Sequence, residues 1–296
     1  MVIDVGHGPP LVLVPGIQGR WEYLGPAIDC LARSFRVLTF PLCGERGSEV
    51  GFDPALGFDN DARRILAILD GRGIDRAAIC GVSFGGLPAI RFAAAHPDRA
   101  SGLVVVSTPG PGWHLKPKHR LYSRAPWLFG PLFLLESPFR LRRELVAAFP
   151  DLGQRLRFVG WQLGALARAP VSPSRMAARA ALISRVDILA DCTRVAAPTL
   201  IVTGERELDR VVPVDGTVSY RRHIAGSAHV TIERTGHLGS ITRPEAFAAA
   251  VRAFVEAGSQ PPPPRLRRSA EASGEGGRDP VHNPTDPAYG WTRATA

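Results

Sequence analysis

One stretch of nine residues, Ala78-Ile79-Cys80-Gly81-Val82-Ser83-Phe84-Gly85-Gly86, leaves few folds open to this chain. An apolar run leads to Gly81, Ser83 stands between Gly81 and Gly85, and a helical pattern from Leu87 to Ala95 follows. That order predicts a buried strand, a sharp turn and a helix, with Ser83 at the apex. Gly81 and Gly85 are the small residues that so tight a turn needs two positions to either side of the serine. The helix would aim its free N–H groups and positive dipole end at the hydroxyl, favouring negative charge beside Ser83. Gly-x-Ser-x-Gly alone arises by chance about 0.2 times in a chain of this length and composition. The flanking strand and helix give it the form of a nucleophile elbow.

The rest of the chain alternates strand and helix around this point. Leu11–Val14, Leu103–Val106 and Thr199–Val202 are continuous apolar runs, as strands buried on both faces require. Val2–Val5, Phe35–Phe40, Ala77–Cys80 and Ala228–Glu233 complete the strands, and Trp21–Arg33, Asp59–Asp70, Thr217–His223 and Pro244–Ala257 read as helices. From Pro109 to Ala190 no strand is convincing, and helical pieces are separated by Pro117, Pro126, Pro131, Pro138, Pro150, Pro170 and Pro173. The expected class is therefore α/β, with a mostly parallel central sheet flanked by helices and an inserted helical cap. Residues 1–108 and 191–257 form the core, 109–190 the cap, and 258–296 a Pro-, Gly- and Ser-rich tail expected to be disordered. In such sheets ligands sit beyond the carboxyl ends of the strands, where Ser83 is expected.

With the elbow placed, the chain resembles the α/β-hydrolase superfamily from Leu11 to Glu256. The resemblance rests on an oxyanion loop after an early strand, the elbow, an acid after a late strand and a histidine after the last strand. It implies a triad of Ser83, Asp209 and His237, in the chain order of that family. Thr235-Gly236-His237-Leu238 is similar to the family's Gly-His loop. Asp209 precedes Val212-Pro213 as the family's acid does, but the loop from Gly204 is longer than in relatives, so Glu205 and Glu207 are alternatives. The implied oxyanion donors are the backbone N–H groups of Ile17 and Phe84, with Pro15 standing where many members carry histidine. Gln18 is either a further donor to substrate or a polar loop residue.

The resemblance implies a serine hydrolase that forms an acyl-enzyme on Ser83 with a small, mainly apolar carboxylic ester, lactone or thioester, without metal or cofactor. A C–C bond hydrolase or enol-lactonase is an alternative, and a silent ligand-binding protein on the same fold is another. In the cap, Trp127, Phe129 and Phe133 are expected substrate contacts, with Trp127-Leu128-Phe129 and Leu132 to Leu135 forming an apolar floor over Ser83. The cap holds thirteen Lys and Arg against four Asp and Glu, a +9 equal to that of the whole chain. Solvated helix faces explain that excess, and so does an anionic substrate, an acyl carrier or contact with an anionic membrane, for which Trp127-Leu128-Phe129 and Leu132 to Leu135 would make an interfacial segment. No motif points to nucleic acid, no apolar run reaches the length of a membrane span, and the N-terminus lacks a basic leader region. Four scattered cysteines, Cys30, Cys43, Cys80 and Cys192, without metal spacing suit reduced thiols in the cytoplasm.

Overall fold

A computed structural model describes residues 1–259, apart from the side chains of Pro131, Phe133, Leu134 and Ser259. The expected tail lies outside the described residues from 260 onward. Seven strands form one sheet: β1 (Ile3–Val5), β2 (Pro10–Val14), β3 (Arg36–Thr39), β4 (Ala77–Val82), β5 (Ala100–Val106), β6 (Thr199–Thr203) and β7 (Ala228–Thr231). Their order is β1-β3-β2-β4-β5-β6-β7, with β1 antiparallel to β3 and every other pair parallel.

Alternate residues of the central strands enter two separate cores. Leu11, Leu13, Val104 and Val106 pack with Ala27 and Leu31 of α1 (Gly25–Leu31) on one face. Val12, Val14, Leu103 and Val105 pack with Ile65 and Leu69 of α2 (Asp59–Asp70) and Ile90 of α3 (Gly86–Ala95) on the other. Apolar positions recur without interruption because both faces are covered, and burying each such side chain contributes roughly 1.5–3 kcal/mol.

Five helices stand between β5 and β6: α4 (Pro117–Arg124), α5 (Pro126–Ala148), α6 (Leu152–Arg168), α7 (Pro173–Ile183) and the short α8 (Leu189–Cys192). Pro117, Pro126 and Pro173 occupy first turns, where a missing N–H costs nothing. Asp151 and Ser172 cap α6 and α7 through their side chains. Pro131 and Pro138 do not separate helical pieces as expected. Both lie within the 23 residues of α5, where each removes one backbone donor without ending the helix. At Gly130 a Cβ would come within 2.7 Å of the Pro173 side chain, so α5 and α7 meet there with no room for a larger residue. After β6 come the short helices α9 (Val214–Val218) and α10 (Gly239–Thr242), then α11 (Pro244–Ser259), whose Phe247 and Val251 complete the α1 side of the core.

Candidate active site

Ser83 follows the last residue of β4 with φ of +54°, one of three non-glycine residues with positive φ among those described. The left-handed region is costly for serine and persists only when the surroundings impose it. They do so through close backbone approach. A Cβ at Gly81 would lie 2.3 Å from the Gly85 carbonyl oxygen, and one at Gly85 would lie 2.4 Å from that of Val14. The two glycines thus let the turn fold on itself and against the end of β2.

His237 and Asp209 reach the same point from loops after β7 and β6. His237 Nε2 is 3.1 Å from Ser83 Oγ, and His237 Nδ1 is 3.3 Å from Asp209 Oδ2. The two loops touch at glycines: a Cβ on Gly204 would be 2.4 Å from the Gly236 oxygen, and one on Gly236 would be 2.5 Å from the Leu208 carbonyl carbon. Asp209 is buried, and its Oδ1 accepts the Val211 and Val212 N–H groups at 2.9 Å each, which leaves Oδ2 to the histidine. The alternative acids are elsewhere: Glu205 accepts Arg234 N–H at 2.6 Å, and Glu207 is exposed. Burial disfavours the His237 imidazolium, whereas the Asp209 carboxylate and then Glu144 favour it. The net shift is upward from the ordinary histidine value.

The loop after β2 lies beside the elbow. A Cβ on Gly16 would be 3.5 Å from Ser83 Cβ, and Ile17 and Phe84 line the same cleft as Ser83. Ile17 N–H has no acceptor among the described residues. Gln18 is not on the cleft wall; its Oε1 turns back to within 3.3 Å of where a Gly16 Cβ would stand.

The sequence pattern of the alpha/beta hydrolase fold family matches residues 9–244. The chain belongs to that family. Among curated relatives, it is 26% identical over 259 residues to the pimeloyl-[acyl-carrier protein] methyl ester esterase of Nitrosomonas europaea, covering 82% of this chain and 94% of that one. It is 27% identical over 271 residues to the 2-hydroxy-6-oxo-2,4-heptadienoate hydrolase of Pseudomonas putida, covering 86% and 91%. The crystal structure of the enol-lactonase from Burkholderia xenovorans LB400 shares the fold, with a TM-score of 0.69, 20% identity and coverage of 86% and 96%.

In this α/β hydrolase the inserted helices and the sheet edge enclose a cleft of about 1690 Å³. Trp113, Leu115, Tyr122, Met176 and Ile183 supply apolar wall near Ser83, and Lys116, Arg142, Arg143 and Arg210 are cationic groups on it. Two expected substrate contacts, Trp127 and Phe129, do not appear there. Trp127 is 78% exposed and off the wall. Phe129 stacks on Tyr122, with ring centroids 5.3 Å apart. The side chain of Phe133 lies outside the described residues. Of the expected apolar floor, Leu128, Leu132 and Leu135 are exposed as well, and the side chain of Leu134 lies outside the described residues.

Two residues unmarked in the sequence reach from the insertion to the hydrolase loops. Glu144 of α5 is fully buried, and its Oε1 accepts Thr235 Oγ1–H at 2.8 Å, Gly236 N–H at 2.8 Å and Leu238 N–H at 2.6 Å. These bonds bracket His237. Burial raises the Glu144 pKa against the pull of those donors and of His237. Arg179 of α7 is 2% exposed; it donates to Glu45 Oε1 at 2.8 Å, to the Ile17 carbonyl at 3.1 Å and to the Cys43 carbonyl at 3.2 Å. One inserted side chain therefore grips the histidine turn and another the loop of Ile17. Their partners lie far away in the chain, and no spacing rule picks them out.

Proposed function

We propose that the protein is a serine hydrolase that cleaves small, mainly apolar carboxylic esters through an acyl-enzyme on Ser83. The observation that carries this reading is the hydrogen-bonded line Ser83 Oγ, His237 Nε2, His237 Nδ1, Asp209 Oδ2, at 3.1 and 3.3 Å. His237 takes the Ser83 proton as the oxygen attacks the ester carbonyl carbon. Asp209 holds the imidazole tautomer and stabilises the imidazolium. The N–H groups of Ile17 and Phe84 receive the oxyanion, each such donor being worth about 3 kcal/mol in the transition state. The alcohol leaves with the proton from His237, and water activated by the same base then frees the acid and restores Ser83.

The apolar wall suits an acyl chain. Lys116, Arg142, Arg143 and Arg210 have no carboxylate partner among the described residues, whereas Lys118 pairs with Glu136 and Arg206 with Asp215. The four unpaired cations fit a substrate bearing negative charge, either a free chain with an acidic end or a chain on an acidic acyl carrier. The esterase of Nitrosomonas europaea, named for a carrier-linked methyl ester, supports that choice. Lactone opening is the second reading, favoured by the fold shared with the Burkholderia enol-lactonase. A series of p-nitrophenyl esters of rising acyl length, run beside lactones, tests both. Esters turn over with highest kcat/KM for chains ending in a carboxylate, and that preference shrinks as salt screens the rim. Lactones alone turning over would replace the ester reading.

A further inference from the structure

Five exposed apolar residues of α5 form one continuous face. Leu128, Leu132, Leu135, Phe139 and Val146 follow at intervals of four, three, four and seven residues. At the helical rotation per residue they fall within a sector of roughly 60° along ~27 Å of helix. Their exposures are 55, 44, 69, 82 and 45%, and Trp127, at 78%, stands at the N-terminal end. The opposite side carries Glu144, buried against the histidine turn, so the orientation of the helix is fixed by the bonds described above. An apolar face of this extent on a surface helix marks an interaction site.

Its surroundings select the occupant. Residues 116–143 hold seven Lys and Arg against one Glu. Arg142 and Arg143 border the apolar face on either side, exposed and without an ion pair among the described residues. A second copy of the same face would bring like charges together, which opposes self-association. An anionic lipid surface attracts them. Arginine stems lie along an apolar boundary while their heads reach phosphate, and aromatic residues favour that depth. None of the described helices is long and apolar enough to cross a membrane, so α5 would lie in the plane of the headgroups. Phe139 and Val146 also stand on the cleft wall, which places the mouth of the Ser83 cleft at the same boundary.

We propose that α5 seats the protein on the surface of membranes rich in anionic phospholipid, with its Leu128–Phe139 face in the headgroup region. The test is flotation of the full chain with vesicles of phosphatidylcholine alone or mixed with phosphatidylglycerol. The protein floats with the anionic vesicles, stays behind with the neutral ones, and is released as salt rises. The double variant L128E/L135E loses at least tenfold in vesicle affinity and keeps its circular dichroism and its turnover of soluble esters. The variant S83A floats as the parent does, so loss of the hydrolase reading leaves this result standing. Failure to float with either vesicle overturns the proposal, as does equal flotation of L128E/L135E. A dimer, or a complex with an acidic carrier protein, that depends on Leu128 and Leu135 while vesicles go unbound assigns the face to that partner instead.

Discussion

The sheet and the helices inserted into it meet at one cleft, yet they are built on different principles. In the sheet, backbone approach dictates position: Gly81, Gly85, Gly204 and Gly236 leave no space for a Cβ, and the strained Ser83 and its histidine follow from that crowding. In the insertion, α5 and α6 turn leucines outward, and the buried charged side chains Glu144 and Arg179 bind the hydrolase loops. Rigid backbone therefore places Ser83 and His237, while Glu144 and Arg179 hold the loops of His237 and Ile17.

Four substitutions or measurements press on that division. Asp209→Asn leaves the fold intact and lowers kcat by about 10⁴-fold, as loss of the orienting carboxylate does in serine triads; steady-state kinetics on a p-nitrophenyl ester reads it, and a loss under tenfold would remove Asp209 from the role. Arg179→Met leaves Glu45 buried with one partner fewer and lowers stability by about 3–5 kcal/mol. The lower end applies, because Arg175 remains 3.2 Å from Glu45. Urea unfolding measures this, and an unchanged midpoint would mean that α7 is not tied to the Ile17 loop through this pair.

Glu144→Ala costs about 10²-fold in kcat with little change in KM, the scale expected when a reacting group is misplaced by an ångström. Glu144→Gln, which keeps an acceptor oxygen for the turn, recovers most of that rate. Equal loss in both variants would show that hydrogen-bonded placement is not what Glu144 contributes. The smallest effect is in the pH profile. As the proposed base, His237 acts in its neutral form, and its pKa is raised, so kcat/KM is expected to fall as pH drops through a midpoint above about 6.5. A midpoint below that value in the parent enzyme would contradict the electrostatics of the pair.

The division also explains what could be read from the residues alone. Both-face burial makes apolar runs such as Leu11–Val14 and Leu103–Val106 continuous, so the central strands were legible along with their parallel order. Ser83 and His237 were marked by the glycines beside them. Asp209 was separable from Glu205 only by its partners, since Val211 and Val212 N–H groups hold its carboxylate. The insertion was less legible. A run apolar on every side does not say which side meets the molecule, so Trp127 was expected inside and stands outside. Prolines at 131 and 138 suggested breaks in α5 that the helix does not have. Glu144 and Arg179 find partners 92 and 134 residues away, a pairing that local pattern cannot carry.

The central claim is that Ser83, activated by His237, is the nucleophile. A fluorophosphonate probe followed by peptide mass spectrometry tests it most directly. The account predicts one adduct, on Ser83, formed slowly in Asp209→Asn and absent in Ser83→Ala together with ester hydrolysis. Labelling on another residue, or undiminished hydrolysis in Ser83→Ala, would contradict it.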